Sequence, residues 1–198
     1  INDFSDRRSV YGAQLDRLRR TLEALTTAGL KPGIVSGGGT GTFAIDAQSR
    51  IFTESQAGSY LFMDVEYGLV EMFPDETNPW RTSLFLRTSV VSANVSGQVT
   101  LNAGFKCLAT DGPTPVVHGE SFTGSRYEFF GDEYGRLVLG DGAPAPAVGS
   151  TVDVVTPHCD PTVNMHDSYH LVEDDVFERY IGEIAKATFG ESAASAAA

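Results

Sequence analysis

Positive charge is scarce in this chain. Its 198 residues carry 14 Lys plus Arg against 26 Asp plus Glu, a formal charge of −12. Binding a phosphate backbone needs clustered Lys and Arg that release counterions, so nucleic acid is excluded as an expected partner. Lysine is rarest of the charged residues, present only as Lys31, Lys106 and Lys186. Two cysteines, Cys107 and Cys159, are too few for a disulfide framework and fit a reducing, cytoplasmic setting. No apolar run reaches the roughly 20 residues of a membrane span. The first residues, Ile1-Asn2-Asp3-Phe4, hold neither an initiator Met nor a signal-peptide pattern. The chain therefore reads as a processed product or a piece of a longer one.

What is present is the composition of a folded protein, 41% hydrophobic and 20% charged. The length allows one large or two small domains. Residues 5–28 read as a helix, with Leu15, Leu18, Leu22 and Leu25 forming one apolar stripe, Ser5 as N-cap and Gly29 as left-handed C-cap. A short apolar strand, Ile34-Val35, runs into a glycine loop, and a second apolar run, Tyr60-Leu61-Phe62-Met63, ends at Asp64. Helix, strand, loop, strand is an α/β unit. Beyond Pro74 the chain turns β: strands are expected over 83–93, 98–101, 127–130, 136–139 and 151–155, with Ser96-Gly97 and residues 131–135 as turns. A last helix is expected over 174–189, with Val176, Tyr180 and Ile184 on one face, before an Ala/Ser tail from Ser192. The expected units are 1–75, 76–172 and 173–198.

Two segments can carry chemistry. In Ser36-Gly37-Gly38-Gly39-Thr40-Gly41-Thr42, glycines let backbone N–H groups converge on an anion and hydroxyls add donors, as in a phosphate cradle. A plain glycine turn explains the same residues. The Walker lysine is absent, and residues 43–51 show no amphipathic helix to receive a dinucleotide pyrophosphate. In Pro157-His158-Cys159-Asp160-Pro161-Thr162, residues two apart share a face if the chain is extended, so His158 and Asp160 point together and Cys159 away. That pair is half a divalent-metal site with positions left for water and substrate, and its N and O donors suit Mn²⁺ or Mg²⁺ more than Zn²⁺. A hydrogen-bonded His–Asp pair in a turn is the other reading. His166 and His170 either extend this cluster or face solvent, four apart on a helix. His118 reads as a surface histidine, Asp132 and Glu133 as turn acids, and Cys107 as buried filler in a strand.

Taken in order, the residues 34–43, the segment Gln56-Ala57-Gly58-Ser59-Tyr60-Leu61-Phe62-Met63-Asp64 and the segment 157–164 resemble the D-threonine aldolase family, including the D-3-hydroxyaspartate aldolases. More distantly they resemble the D-serine dehydratases. The resemblance runs from Ile1 to Asp167; the acidic Glu173-Asp174-Asp175 and the last expected helix depart from it. It implies an α/β plus all-β chain: the last strands and helices of a TIM-type barrel of the alanine racemase fold, followed by a C-terminal β domain. By the same resemblance Gly37, Gly38, Gly39, Thr40, Gly41 and Thr42, with Gly58, Ser59 and Tyr60, hold the phosphate of pyridoxal 5′-phosphate at the face where such barrels bind phosphate. His158 and Asp160 hold the divalent metal. The dehydratase branch has His-x-Cys where this chain has His-x-Asp, which favours the aldolase branch. The implied reaction cleaves a D-β-hydroxy-α-amino acid to glycine and an aldehyde. The family's Schiff-base lysine stands in the first barrel strand, and none of Lys31, Lys106 or Lys186 has that context. The chain is thus expected to be the C-terminal half of a homodimeric enzyme and inactive alone. A dehydratase acting on similar substrates, and a non-catalytic metal- or ligand-binding β domain, are the competing readings.

Overall fold

The computed structural model describes residues 1–75, 77–173 and 176–180. Helix α1 (Phe4–Thr27) carries the leucine stripe inward, Leu15 buried and Leu18, Leu22 and Leu25 half-buried. The cap is Asp3 and not Ser5: its carboxylate accepts from the Asp6 N–H, because the helix starts with Phe4, a buried anchor. Gly29 takes φ 77° and the Leu30 N–H returns to the Leu25 carbonyl, the termination its glycine predicts.

The strand expected at Ile34-Val35 forms two residues later. The Val35 carbonyl accepts from Thr53 and Glu54, so the parallel ladder begins at β1 (Ser36–Gly37) against β2 (Glu54–Ser55) and leaves Ile34 exposed. Helix α2 (Phe43–Ser49) corrects the reading that no helix follows the glycine loop. Its seven residues make about two turns. Its buried positions, Ala44, Ile45 and Asp46, are contiguous, so no periodic stripe could reveal it. The run at Tyr60 is likewise no strand. Residues Ser59–Leu61 form a 3-10 turn, and the N–H groups of Phe62 and Met63 both return to the Ser59 carbonyl. Asp64 then caps α3 (Val65–Gly68).

The β half follows expectation closely. Strands β3 (Phe85–Val95), β4 (Gln98–Leu101), β5 (Val116–Val117), β6 (Arg126–Phe129), β7 (Gly135–Val138) and β8 (Thr151–Val155) form one antiparallel sheet in the order β5-β8-β3-β4-β7-β6. The first half of β3 pairs with β8 and its second half with β4, with register shifts between Val90 and Val95 that bend the strand. The end strands β5 and β6 lie against each other, so the sheet is nearly a closed barrel. Alternate residues fill it: Val90, Val99, Leu101, Tyr127, Leu137, Val152 and Val154. The Tyr127 hydroxyl donates to the Ala103 carbonyl at 2.6 Å, and burial pushes its phenol upward.

After β8 the chain makes the short helix α4 (Cys159–Val163) and then strand β9 (Tyr169–Glu173), which pairs antiparallel with β10 (Val176–Tyr180). A strand therefore stands where the start of the last helix was expected. Val176 and Tyr180 are four apart and fit either period, and the pairing with β9 decides between them. The rest of that expected helix and the Ser192 tail lie outside the described residues. The two halves are stitched by backbone: Val65 N–H to Thr156 carbonyl (3.0 Å), Glu66 N–H to Pro157 carbonyl (3.1 Å) and Ser83 N–H to Phe62 carbonyl (2.9 Å).

Leu101 is fully buried at the centre of the closed sheet. Leu101→Ala is expected to cost about 2–5 kcal/mol in urea unfolding; a loss below about 1 kcal/mol would contradict this core.

Candidate functional site

The glycine loop is shaped from behind by one carboxylate. Gly38 has φ 78°, and a Cβ there would lie 2.2 Å from the Asp46 Oδ2, so only glycine fits. Gly39 is extended, and its N–H donates to the Thr42 Oγ1 at 3.1 Å. The Thr42 hydroxyl donates in turn to the Asp46 Oδ2 at 2.6 Å. Asp46 is buried, and its other oxygen, Oδ1, has no hydrogen-bond partner. Burial, together with Asp46, pushes the Tyr11 phenol up to about 12. The second predicted loop is bound to the first, since the Tyr60 N–H donates to the Thr40 Oγ1 at 3.0 Å and the Gln56 N–H to the Gly37 carbonyl at 3.0 Å. Thr40 and Ser59 are buried at this junction. A Cβ at Gly39 or Gly58 would meet nothing within 4 Å, so both glycines face open space. A cavity of about 300 Å³ opens beside them, lined by Thr40, Phe43, Ser55, Ala57, Tyr60 and Trp80.

The same segment reaches the histidine turn. Asp64 is buried, and its two oxygens accept from the N–H groups of Tyr67 and Cys159, each at 2.7 Å. His158 is the last extended residue before α4, so His158 and Asp160 do meet, although not by strand alternation: the chain turns helical at Cys159. The His158 Nε2 stands 3.5 Å from the Asp160 Oδ2. Its Nδ1 is 3.0 Å from the Asp111 Oδ2 and 3.9 Å from the Glu66 Oε2. Burial opposes a charged His158, but the Asp111 hydrogen bond and the charges of Asp111, Glu66 and Asp64 outweigh it and raise its pKa. Cys159 is buried, and burial, with Asp64 close by, pushes its thiol up to about 12. It is a thiol and not a thiolate donor at neutral pH.

Asp64, Glu66 and Asp111 were not singled out by the sequence. Asp64 carried a signal, an acidic residue closing an apolar run, which is a helix N-cap pattern. Asp111 carried none. It arrives through Gly112, whose Cβ position lies 3.1 Å from the Pro157 carbonyl oxygen, and through the Ala109 N–H, which donates to the Thr162 Oγ1 at 3.0 Å.

The remaining candidates lie elsewhere. His118 is exposed as expected and packs beside Phe85, the ring centres 4.6 Å apart and the planes tilted by 49°. His166 follows α4 in a turn, with its Nε2 3.0 Å from the Cys107 carbonyl, and His170 lies on β9, so no helix presents them together. Cys107 sits half-buried in a turn and not in a strand, because its thiol and backbone both return to the Gly104 carbonyl. Glu133 pairs with Lys106 at the surface. Lys31 is exposed, and Lys186 lies outside the described residues. Among the described residues, no three His, Cys, Asp or Glu side chains converge as a metal-binding group.

Comparison with known proteins gives consistent findings. Residues 83–172 match the family model described as a putative serine dehydratase domain. The chain is similar to the 3-hydroxy-D-aspartate aldolase of Paracoccus denitrificans (strain Pd 1222), 35% identical over 172 residues that cover 85% of this chain and 43% of that protein. It thus spans less than half the length of this curated relative. The crystal structure of D-threonine aldolase from Filomicrobium marinum superposes with a TM-score of 0.86 at 32% identity, covering 96% of this chain and 51% of that one. An Ala racemase-like protein from Idiomarina loihiensis, 21% identical with a TM-score of 0.65 over 82% of this chain and 46% of its own, shares the fold. The architecture is therefore alanine racemase-like. No described helix is long and apolar enough to cross a membrane.

Asp64→Ala leaves the buried Cys159 N–H and the half-buried Tyr67 N–H without their carboxylate, and hydrogen bonds to a charged group contribute about 1.5–3 kcal/mol each. The variant is expected to unfold about 3–5 kcal/mol more easily, with amide exchange at Tyr67 and Cys159 accelerated together; unchanged protection at either amide would contradict the clamp.

Proposed function

We propose that this chain, similar to 3-hydroxy-D-aspartate aldolase and D-threonine aldolase over about half their length, is the C-terminal half of a lyase of that family. The enzyme cleaves D-β-hydroxy-α-amino acids to glycine and an aldehyde, using pyridoxal 5′-phosphate and a divalent metal. The observation that carries this reading is the segment from Gly58 to Asp64. At one end the Tyr60 N–H holds the glycine loop, and at the other Asp64 holds the turn that presents His158. A phosphate cup and a metal pair built on one short segment suit a small amino-acid substrate attached between them.

The residues fit both groups. Gly37, Gly38, Gly39, Thr40, Gly41 and Thr42, with Gly58, Ser59 and Tyr60, would hold the cofactor phosphate: open space lies over Gly39 and Gly58 where a side chain would block approach. His158 and Asp160 would hold the metal. Two ligands at about 2.1 Å from one ion lie about 3–3.5 Å apart, and the Nε2–Oδ2 separation is 3.5 Å. Imidazole and carboxylate donors favour Mn²⁺ or Mg²⁺ over Zn²⁺, and the protonated Cys159 adds no thiolate. When bound, the cofactor supplies a sink for the electrons of the breaking Cα–Cβ bond, and the metal a Lewis acid for the β-hydroxyl. The chain's own contribution is to bind and orient: the cup fixes the phosphate end, and His158 with Asp160 fixes the hydroxyl end.

No described lysine stands at this site. Lys31 is exposed and Lys106 is engaged by Glu133. The Schiff-base lysine is therefore assigned to an N-terminal half that also completes the TIM-type barrel, in a cytoplasmic homodimer, and this chain alone is inactive. The serine dehydratase match supports a second reading, β-elimination to ammonia and a keto acid. Product analysis separates it from cleavage to glycine, and Asp160, an oxygen donor where the dehydratase branch has Cys, favours cleavage.

In the full-length enzyme, His158→Ala and Asp160→Ala are each expected to lower metal-dependent cleavage by more than about 100-fold, beyond the effect usual for residues behind a ligand. The bound-cofactor absorbance should persist; full activity in either variant would remove the metal assignment. Gly39→Val separates cup from fold, because Gly39 has an ordinary extended backbone and open space. It is expected to keep native stability and lose cofactor on gel filtration, whereas unchanged cofactor occupancy would remove the phosphate-loop assignment.

A further inference from the structure

We propose that Asp111 is a positioning residue, which holds the His158 ring with Nδ1 as the hydrogen-bond donor and Nε2 turned, unprotonated, toward Asp160. The inference rests on the metal pair proposed above. A neutral imidazole carries one proton, and the hydrogen bond made by one nitrogen decides which lone pair the other offers. The two sides of the ring differ here. The Nδ1–Asp111 Oδ2 distance of 3.0 Å lies within hydrogen-bond range, while the Nε2–Asp160 Oδ2 distance of 3.5 Å lies beyond it. A proton on Nε2 would have no partner at bonding distance in Asp160 and would leave the Nδ1 lone pair facing a carboxylate. A proton on Nδ1 satisfies Asp111 and leaves Nε2 beside Asp160 as a donor pair for one cation.

Asp111 is held where this requires. On one side the Ala109 N–H is tied to Thr162 of α4, and on the other Gly112 lies against the Pro157 carbonyl. Thr162 also donates from its hydroxyl to the His158 carbonyl at 2.8 Å, so one residue links the Asp111 loop to the His158 backbone. Gly112 permits the approach, because any side chain there would press on Pro157 and the His158 Cβ. Glu66, 3.9 Å from Nδ1, adds negative charge on the same side. Asp111 is more than half exposed, so solvent screens it, and the expected effect sits at the low end of what such partners exert.

The test uses full-length enzyme without cofactor, Mn²⁺ alone as the titrant, and ¹⁵N-histidine NMR of the metal-free protein on the alkaline side of the His158 titration, where the ring is neutral and its tautomer can be read. Wild type is expected to bind Mn²⁺ and to show His158 protonated at Nδ1. Asp111→Ala should weaken Mn²⁺ binding about 10-fold and shift His158 toward protonation at Nε2. Asp111→Asn, whose amide oxygen still accepts from Nδ1, should keep most of the affinity and the original tautomer. Wild-type affinity with an unchanged tautomer in Asp111→Ala would overturn the inference while leaving the metal pair standing. Absence of Mn²⁺ binding in wild type would overturn the metal reading instead, and the tautomer comparison would still decide the role of Asp111.

Discussion

One buried carboxylate sets the geometry on which both chemical segments depend. Asp64 lies in the interior, where an ion loses hydration worth several kcal/mol, and it is offset by two short backbone hydrogen bonds. One of these starts α3; the other reaches 95 residues along the chain to Cys159, the residue after His158. Neither oxygen can move without stripping a backbone N–H of its partner, and that of Cys159 is buried. The position of the His158 turn relative to the Gly58-Ser59-Tyr60 turn is therefore fixed by hydrogen-bond satisfaction more than by contact between apolar faces. The ladder of backbone bonds from Val65 and Glu66 to Thr156 and Pro157 runs alongside and strengthens the same seam.

Punctuation and alternation were legible in the sequence. Gly29 and Gly97 take the positive φ that a helix end and a hairpin turn require, and the alternating residues of 85–101 and 151–155 bury one face of a sheet. The His158–Asp160 proximity was also legible, though for a different reason: the chain turns helical between them and still leaves both on one side. The features that were not legible are short or distant. Helix α2 has too few residues to display a period, and the 3-10 turn at Ser59 looks apolar enough to be a strand. Asp111 is separated from His158 by 47 residues and sits in a loop whose only cue is the glycine beside it. Spacing in sequence says nothing about pairs of that kind; tertiary packing of Gly112 on Pro157 creates them.

The acidic balance of the chain and its two proposed ligands are compatible once the means of binding are separated. An anion can be held without cations by converging N–H groups and hydroxyls; in the glycine loop the Gly39 N–H and the Thr42 hydroxyl turn back to Thr42 and Asp46 and fix its shape, and the proposed phosphate would approach over the open space at Gly39 and Gly58. Around His158 the logic inverts. Asp111 and Glu66 stand on the Nδ1 side of one imidazole and Asp160 on its Nε2 side, an acidic setting that would suit the proposed cation.

A metal held by only two protein ligands keeps most of its coordination shell for water and substrate, which suits catalysis but leaves the ion weakly directed. With few ligands, the orientation of each one governs more of the site's geometry. An imidazole free to rotate about its Cβ would present either nitrogen, and half of its orientations would point the wrong lone pair away from Asp160. Thr162 fixes the backbone of His158, Asp64 fixes the next peptide N–H, and Asp111 selects the ring nitrogen. Each of the three restraints acts on a different degree of freedom, so they are not redundant. A two-ligand site of this kind depends on the residues behind the ligands as much as on the ligands.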